Sequence, residues 1–188
     1  LGTSSPRRAA QVRRLRPDIT TTLFRGNVAT RLAKVTAGEV DATLLAAAGL
    51  DRLGQHDIGN PIPIDVMMPA PAQGAVGIET LAANTEVIAL LAAISDADTL
   101  DCVLAERALL LALGGNCHSP IGALARIEGD AIFLTAEILT GDDSERVSDT
   151  ALFPRDDLSA ASDLGRALLT QATPAIRALF DGVPEASA

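Results

Sequence analysis

Cys117 lies in Gly114-Gly115-Asn116-Cys117-His118-Ser119-Pro120-Ile121-Gly122, a turn bounded by glycine and proline. Thiol nucleophilicity belongs to the thiolate and depends on exposure and nearby positive charge, so a loop position leaves more room for reaction than a packed helix face. The bland alternative is a small buried hydrophobe, the commoner fate of an isolated cysteine. Arginine supplies the second chemically capable set. Residues 1 to 55 carry nine basic groups (Arg7, Arg8, Arg13, Arg14, Arg16, Arg25, Arg31, Lys34, Arg52) against four acidic ones, a balance of +5, whereas the rest of the chain carries six against twenty, a balance of −14. Fourteen of the 15 basic residues are arginine, whose planar fork pairs bidentately with carboxylates or phosphates. A GC-rich genome would account for that ratio but not for the clustering. One end of the chain is built to hold anions.

Other chemistries find little support. His56 sits in a loop, and His118 beside Cys117 has no third ligand at useful spacing, so no metal site is indicated. A Cys117–His118 dyad is disfavoured, because adjacent side chains rarely aim at each other. Neither a P-loop nor a dinucleotide glycine fingerprint is present. Arg7, Arg8, Arg13, Arg14 and Arg16 scatter around a helix axis instead of forming a stripe, and with Trp and Tyr absent and only four Phe base stacking has few platforms. Nucleic-acid binding is not expected. No apolar run approaches the roughly 18 residues of a membrane span, there is no signal peptide, and the two cysteines form no disulfide framework. A reducing cytoplasm is the expected compartment.

The elements that must position these groups can be read in order. Ser5-Pro6 starts a helix, with Ser5 as cap and Pro6 at the first helical position, and it ends near Arg16-Pro17. Ile19 to Phe24 predicts a strand, Val28 to Ala37 a helix stopped by Gly38, and Ala42 to Ala47 a buried parallel strand. Arg7, Arg8, Arg25 and Arg31 then fall at or just after the carboxyl ends of strands, where open α/β sheets bind ligands, and Arg52 follows the next strand in the same sense. Several convergent arginines call for a ligand with several carboxylates or phosphates. Gln55 to Pro63 is a loop, Ile64 to Met68 is extended, Pro69 to Gly74 breaks structure as a hinge, and Ala75 to Glu79 is a further strand. Asn84 caps a helix to about Ile94, and Thr99 to Leu113 is a helix closed by Gly114-Gly115, with Cys102 a structural thiol inside it. Ile121 to Glu128, Ala131 to Thr140 and Arg146 to Phe153 predict three antiparallel strands joined at Gly129-Asp130 and at Gly141 to Ser144. Leu158 to Ala172 and Pro174 to Phe180 close the chain as helices, with a frayed tail from Asp181.

Gly2-Thr3-Ser4-Ser5-Pro6-Arg7-Arg8, Phe24-Arg25-Gly26-Asn27-Val28-Ala29-Thr30-Arg31-Leu32, Leu44 to Gly54, Gln73-Gly74-Ala75-Val76-Gly77-Ile78-Glu79, Ala105-Glu106-Arg107-Ala108 and the Cys117 loop, in that order, resemble the porphobilinogen deaminase (hydroxymethylbilane synthase) family over essentially the whole chain. The resemblance implies an α/β fold, with a partial doubly wound domain like those of periplasmic binding proteins followed by a small α+β domain with a three-stranded antiparallel sheet and helices. Residues 1–68 would form most of the second family domain, 69–95 a hinge and a returning segment of the first, and 96–188 the domain carrying the cysteine. It further implies a transferase of tetrapyrrole and heme biosynthesis. A dipyrromethane cofactor, linked covalently through Cys117, would prime the addition of four porphobilinogens with loss of ammonia, and hydrolysis would release hydroxymethylbilane. By match to the motifs, Thr3, Ser5, Arg7, Arg8, Arg25, Arg31 and Ala46 would hold the cofactor, and Arg25, Arg31, Arg52, Gln73 and Gly74 the substrate. Every pyrrole carries an acetate and a propionate, which answers the need for a polycarboxylate.

Two departures accompany the match. Ala72 stands where the family often has glycine, and the family's catalytic aspartate has no counterpart, because its segment would precede Leu1. No catalytic residue is therefore expected in this chain, which reads as a fragment needing an N-terminal domain as partner and inactive by itself. The full-length form is expected to be a monomer binding porphobilinogen and linear pyrrole intermediates, without nucleic acid or membrane. The competing expectation is a non-catalytic module that uses the same arginines to hold a polycarboxylate or tetrapyrrole.

Overall fold

The computed structural model describes residues 1–142 and 144–180. The expected frayed tail from Asp181, and Asp143 of the expected Gly141 to Ser144 turn, lie outside the described residues.

The first strand of chain is short and central. Gly2 bridges in parallel to Thr22 on one side and to Thr43 on the other, with Gly2 N donating to Ala42 O (2.8 Å) and Thr3 N to Thr22 O (3.0 Å). The strands predicted at Ile19 to Phe24 and Ala42 to Ala47 are thus each reduced to a single bridge. Past their shared partner Gly2 the chain turns into a helix capped by Ser5, so neither flank can extend its ladder in that direction. Phe24, 3% exposed, closes over Gly2, and a Cβ at Gly2 would lie 2.5 Å from Phe24 Cγ and 2.9 Å from its Cβ. These are the root atoms of the ring and cannot swing aside. Gly2→Ala is therefore expected to destabilise this unit by about 1–3 kcal/mol, read as a lower thermal midpoint; an unchanged midpoint would contradict the packing.

Each of the three parallel segments leads into a helix. Helix α1 (Pro6–Leu15) starts where the Ser5 hydroxyl accepts from Arg8 N (3.3 Å) and Pro6 takes the first helical position; it buries Ala9, Ala10, Gln11 and Val12. Helix α2 (Val28–Thr36) is capped by Asn27, which accepts from Thr30 N (2.9 Å), and it stops at Gly38 in the left-handed region. Helix α3 (Ala47–Arg52) follows Thr43. All three helices begin on the same side of the bridged segments, as a strand-helix repeat of one hand requires.

Between residues 53 and 96 the predicted pattern fails twice. Ile64 to Val66 form a turn, not an extended segment, with Val66 N and Met67 N both donating to Pro63 O (3.1 and 3.0 Å); proline's fixed φ favours that start of a turn. Ala75 to Glu79 is not a strand, because no described residue offers it a ladder, and Val76 and Ile78 stay 70% and 58% exposed. Helix α4 (Thr85–Ala92), capped by Asn84, buries none of its residues.

The rest forms one layered unit. Helix α5 (Ala97–Ala112) is capped by Asp96 and ends at Gly114 in the left-handed conformation. Strands β1 (Ile121–Glu128), β2 (Ala131–Leu139) and β3 (Arg146–Pro154) form an antiparallel sheet in the order β1-β2-β3. The register runs Glu128↔Ala131 and Leu139↔Arg146, and the tight hairpin places Gly129 in the left-handed region that such turns require. Helices α6 (Leu158–Gln171) and α7 (Pro174–Arg177) complete the order. Ile132, Leu134, Ala136 and Ile138 point to one face of β2, by the two-residue period of a strand, and are fully buried with Leu109 of α5 and Leu168 of α6. Side chains of this size contribute about 1.5–3 kcal/mol each when buried. Toward its end β2 buries the opposite face too, at Glu137 and Leu139, where α1 packs.

Candidate functional site

The arginines predicted at the strand ends gather on the side where α1, α2 and α3 begin. Arg8 donates from Nη1 to Leu44 O (3.2 Å), and Arg31 donates to Gly26 O (2.9 Å) and to Ser4 Oγ (3.5 Å). Residues following all three bridged segments therefore meet: Ser4 and Arg8 after Gly2, Gly26 and Arg31 after Thr22, and Leu44 after Thr43. Burial lowers the Arg8 pKa, and the Arg31 charge lowers it further, so two cations stand near each other without neutralisation. Among the described residues Arg7, Arg8, Arg25, Arg31 and Arg52 have no carboxylate within 4.0 Å, whereas Arg16, Arg146, Arg155 and Arg166 all do. Arg25 is exposed on the turn before α2. Arg52 lies in the last turn of α3, one helix beyond the strand end expected for it. Ala46 is the exposed residue before α3.

Arg7 differs from its neighbours. It is 4% exposed and donates to Gln11 Oε1 (3.2 Å), to Gln73 Oε1 (3.1 Å) and to Met68 O. Burial, then the charge of Arg8, lower its pKa to about 10. Three of its five N–H groups are thus engaged within the chain. Thr3, buried, accepts from Ser5 N (3.2 Å) and so shapes the turn that feeds α1.

Cys117 is exposed on the connection from α5 to β1. Asn116 Oδ1 accepts from His118 N (2.8 Å), and Asn116 N donates to Ser119 Oγ (3.0 Å), so the turn is tied on either side of the thiol while the sulfur itself makes no hydrogen bond among the described residues. The turn lies so close against β1 that a side chain at Gly115 would run into Ile121 and Leu110. His118 is exposed, and its backbone N–H is the donor to Asn116. Cys102 is half-buried in α5, with its pKa raised by burial and by the carboxylate of Glu106.

Two buried glutamates, unassigned by sequence reasoning, fasten these regions together. Glu106, 7% exposed, accepts from Ala72 N (2.5 Å) and Ala125 N (2.8 Å); burial pushes its carboxyl up, with those two amide contacts opposing. It holds the Pro69 to Gly74 turn on β1, helped by Ala123 N donating to Pro69 O (2.9 Å). Ala72 sits at φ 57° there, a left-handed conformation that glycine would take without strain. Glu137, 1% exposed, accepts from Gln11 Nε2 (2.5 Å), Arg14 (3.0 Å) and Arg146 (2.6 Å). Burial alone would raise its carboxyl, but the bonds from Arg14 and Gln11 outweigh that and hold it below the usual range.

The predicted site residues thus fall into two sets. In the first unit Thr3, Ser5 and Arg8 are linked at the start of α1, Arg31 reaches the neighbouring Ser4, Arg7 is bonded to Gln73, and Arg25, Arg52 and Ala46 stand apart from these bonds. Gln73 and Gly74 line a cleft of about 610 Å³ with Cys102, Glu106 and Ala125, and none of the rim arginines lines it. Cys117 lies in the other unit, three residues before Pro120, whose carbonyl accepts from Leu139 N (3.2 Å). Two residues past Leu139, Gly141 O accepts from Arg13 (3.1 Å). The end of the sheet that carries the cysteine turn is therefore the end on which α1 is docked. Glu106 falls within the quoted motif Ala105 to Ala108 but had no role there; a carboxylate on the apolar face of α5 was its signal. Glu137 could have been noticed as the one charge in β2.

Comparison with known proteins places both units. Residues 1–89 match the family model described as the porphobilinogen deaminase, dipyromethane cofactor binding domain, and residues 100–173 match the porphobilinogen deaminase C-terminal domain. A porphobilinogen deaminase of Sphingopyxis alaskensis is 56% identical over 181 residues, 96% of this chain and 57% of that protein. One of a Roseiflexus species is 50% identical over 139 residues, 73% of this chain and 46% of that protein. The chain spans about half the length of these curated relatives.

Proposed function

The chain belongs to the porphobilinogen deaminase family, and from that premise we propose that it forms the pyrrole-holding part of a hydroxymethylbilane synthase, with a dipyrromethane cofactor tethered at Cys117. The observation that carries this reading is the set of arginines without carboxylate partners on the rim where α1, α2 and α3 begin. Uncompensated cations this close together repel one another, so the rim is more stable with an anion bound. The residues present suit the cofactor: an exposed thiol for the covalent link, and several arginines for its acetates and propionates.

When bound, the cofactor supplies the primer to which porphobilinogens are joined, four in succession with loss of ammonia, before hydrolysis frees the linear product. The protein's part is to hold and orient. Arg8 and Arg31, with Arg25 and Arg52 at the outer rim, bind carboxylates; Arg7, Thr3 and Ser5 form the inner wall; Ala46 flanks the rim before α3, and Gln73 and Gly74 line the adjoining cleft. Charge-assisted hydrogen bonds contribute about 1.5–3 kcal/mol each. Several together retain a growing polyanion, and because each is individually weak the chain can shift as units are added. The first unit is a partial doubly wound domain, supported by its parallel bridges and the helix after each.

The apolar residues Val76, Ile78, Leu81, Leu90 and Ile94, 58% to 79% exposed, together with α4, would pack on the N-terminal domain of the complete enzyme. The 188-residue chain by itself is accordingly expected to bind pyrroles without completing the synthesis. The test is to supply the N-terminal part of the Sphingopyxis relative in trans and assay hydroxymethylbilane. Turnover that appears only with both parts is expected; turnover by this chain unaided contradicts its dependence on the missing part, and binding without turnover in the mixture favours a non-catalytic polycarboxylate module.

A further inference from the structure

Glu137 is 1% exposed on β2, yet its carboxylate faces α1 rather than the sheet's own core. A carboxylate accepts and cannot donate, so the group of Gln11 that meets Glu137 Oε1 at 2.5 Å must be the amide nitrogen. The same nitrogen also donates to Met68 O at 3.1 Å, and Gln11 Oε1 is left to accept from Arg7 Nη1 at 3.2 Å. Arg7 in turn reaches Gln73 Oε1 at 3.1 Å. The polarity of this chain is fixed at both ends, because Glu137 and Met68 O can only accept and Arg7 can only donate. With an apolar residue at 137 the Gln11 carboxamide loses its shortest bond and keeps only the 3.1 Å bond to Met68 O, so one N–H is left unmatched and the oxygen facing Arg7 is held less firmly. Gln11 itself is fully buried, so no solvent is at hand to repair the mismatch, and buried networks left partly satisfied are unfavourable.

We propose that Glu137 is a positioning residue: through the Gln11 carboxamide it sets the Arg7 guanidinium and the Gln73 side chain, so that the unit carrying Cys117 fixes the inner wall of the arginine rim. The role in ligand binding rests on the function proposed above; the orientation of Gln11 and Arg7 does not. Oxygen Oε2 of the same carboxylate serves a separate purpose, accepting from Arg14 and Arg146. That division allows a control, because Arg146→Met removes an ion pair on Oε2 and leaves the Oε1 contact to Gln11 in place.

The experiment compares the 188-residue chain with its Glu137→Gln and Arg146→Met variants by ¹⁵N side-chain NMR and by calorimetric titration with porphobilinogen. In Glu137→Gln the Gln11 carboxamide protons are expected to exchange with solvent at least about tenfold faster and the Arg7 side-chain resonances to shift. Porphobilinogen affinity is expected to fall about tenfold, the loss of roughly one charge-assisted hydrogen bond. In Arg146→Met the melting temperature falls, but the Gln11 and Arg7 signals and the affinity stay as in the parent. A folded Glu137→Gln chain with unchanged Gln11 and Arg7 signals overturns the proposal, as does an equal change in Arg146→Met. If Glu137→Gln does not fold, the parent's Gln11 carboxamide decides: slow exchange is expected, and exchange at the free-solution rate overturns it. Failure of the parent to bind porphobilinogen counts against the proposed function alone, since the NMR comparison still reports on Glu137.

Discussion

Glu106→Ala is expected to lower the stability of the chain by about 2–4 kcal/mol, because it leaves two backbone donors without partners, each costing about 1–3 kcal/mol when buried. The donors are Ala72 N and Ala125 N, at 2.5 and 2.8 Å from the carboxylate. Part of that cost is offset, since burial already pushes the Glu106 carboxyl up and its removal relieves the desolvation. For a chain of this length the thermal midpoint should drop by roughly 5–15 °C. Glu106→Gln should fall between the two, as its amide keeps one acceptor but turns a donor toward the second N–H. The turn at Ala72 is held in a left-handed conformation by the first of these bonds, so Gln73 should loosen with it. An Ala variant that melts with the parent would show that Glu106 does not fasten the 69–74 turn to β1.

The second large effect concerns ligand, not fold. The double variant Arg8→Ala/Arg31→Ala should weaken porphobilinogen binding by about 100-fold or more, two charge-assisted contacts at about 1.5–3 kcal/mol each. Its unliganded stability should stay within about 1 kcal/mol of the parent, for a specific reason. Arg31's charge works against that of Arg8, so losing both relieves repulsion while sacrificing only the bonds to Leu44 O, Gly26 O and Ser4 Oγ. Affinity that collapses while the melting curve barely moves is the signature of a binding group. Titration calorimetry beside a thermal melt checks it; a lower midpoint with unaltered affinity would assign these arginines to structure.

What the sequence disclosed follows the range of the interactions involved. Ser5-Pro6 and Asn84 announce helix starts through bonds spanning three residues, and both are found at caps, whereas the Asp96 cap starts its helix two residues before the expected Thr99. The alternation in Ala131 to Thr140 and the glycine at 129 locate the sheet within a residue of its observed ends. Ile19 to Phe24 and Ala75 to Glu79 have the composition of strands but little or no partner to pair with, and pairing is a property of two segments. Ile64 to Met68 misled for a local reason, since Pro63 supplies the carbonyl of a turn. For the site, the arginines were legible as a charge cluster, yet nothing in their spacing separates Arg7, which spends three donors inside the chain, from Arg8 and Arg31 at the rim. The partners Met68, Gln73 and Glu137 lie 61, 66 and more than 120 residues away in sequence from α1. Glu106 and Glu137 read as isolated charges in apolar elements until the contacts across the fold are seen.

The proposed function requires Cys117 to be the point of cofactor attachment. Intact-mass measurement of the chain produced together with the N-terminal part of the Sphingopyxis relative, in a host supplied with porphobilinogen, followed by peptide mapping, tests this directly. The expected result is an added mass of two pyrrole units on the peptide containing Cys117, absent from Cys117→Ser while Cys102 stays unmodified. An unmodified Cys117 in the parent, or an adduct that persists in Cys117→Ser, would contradict it.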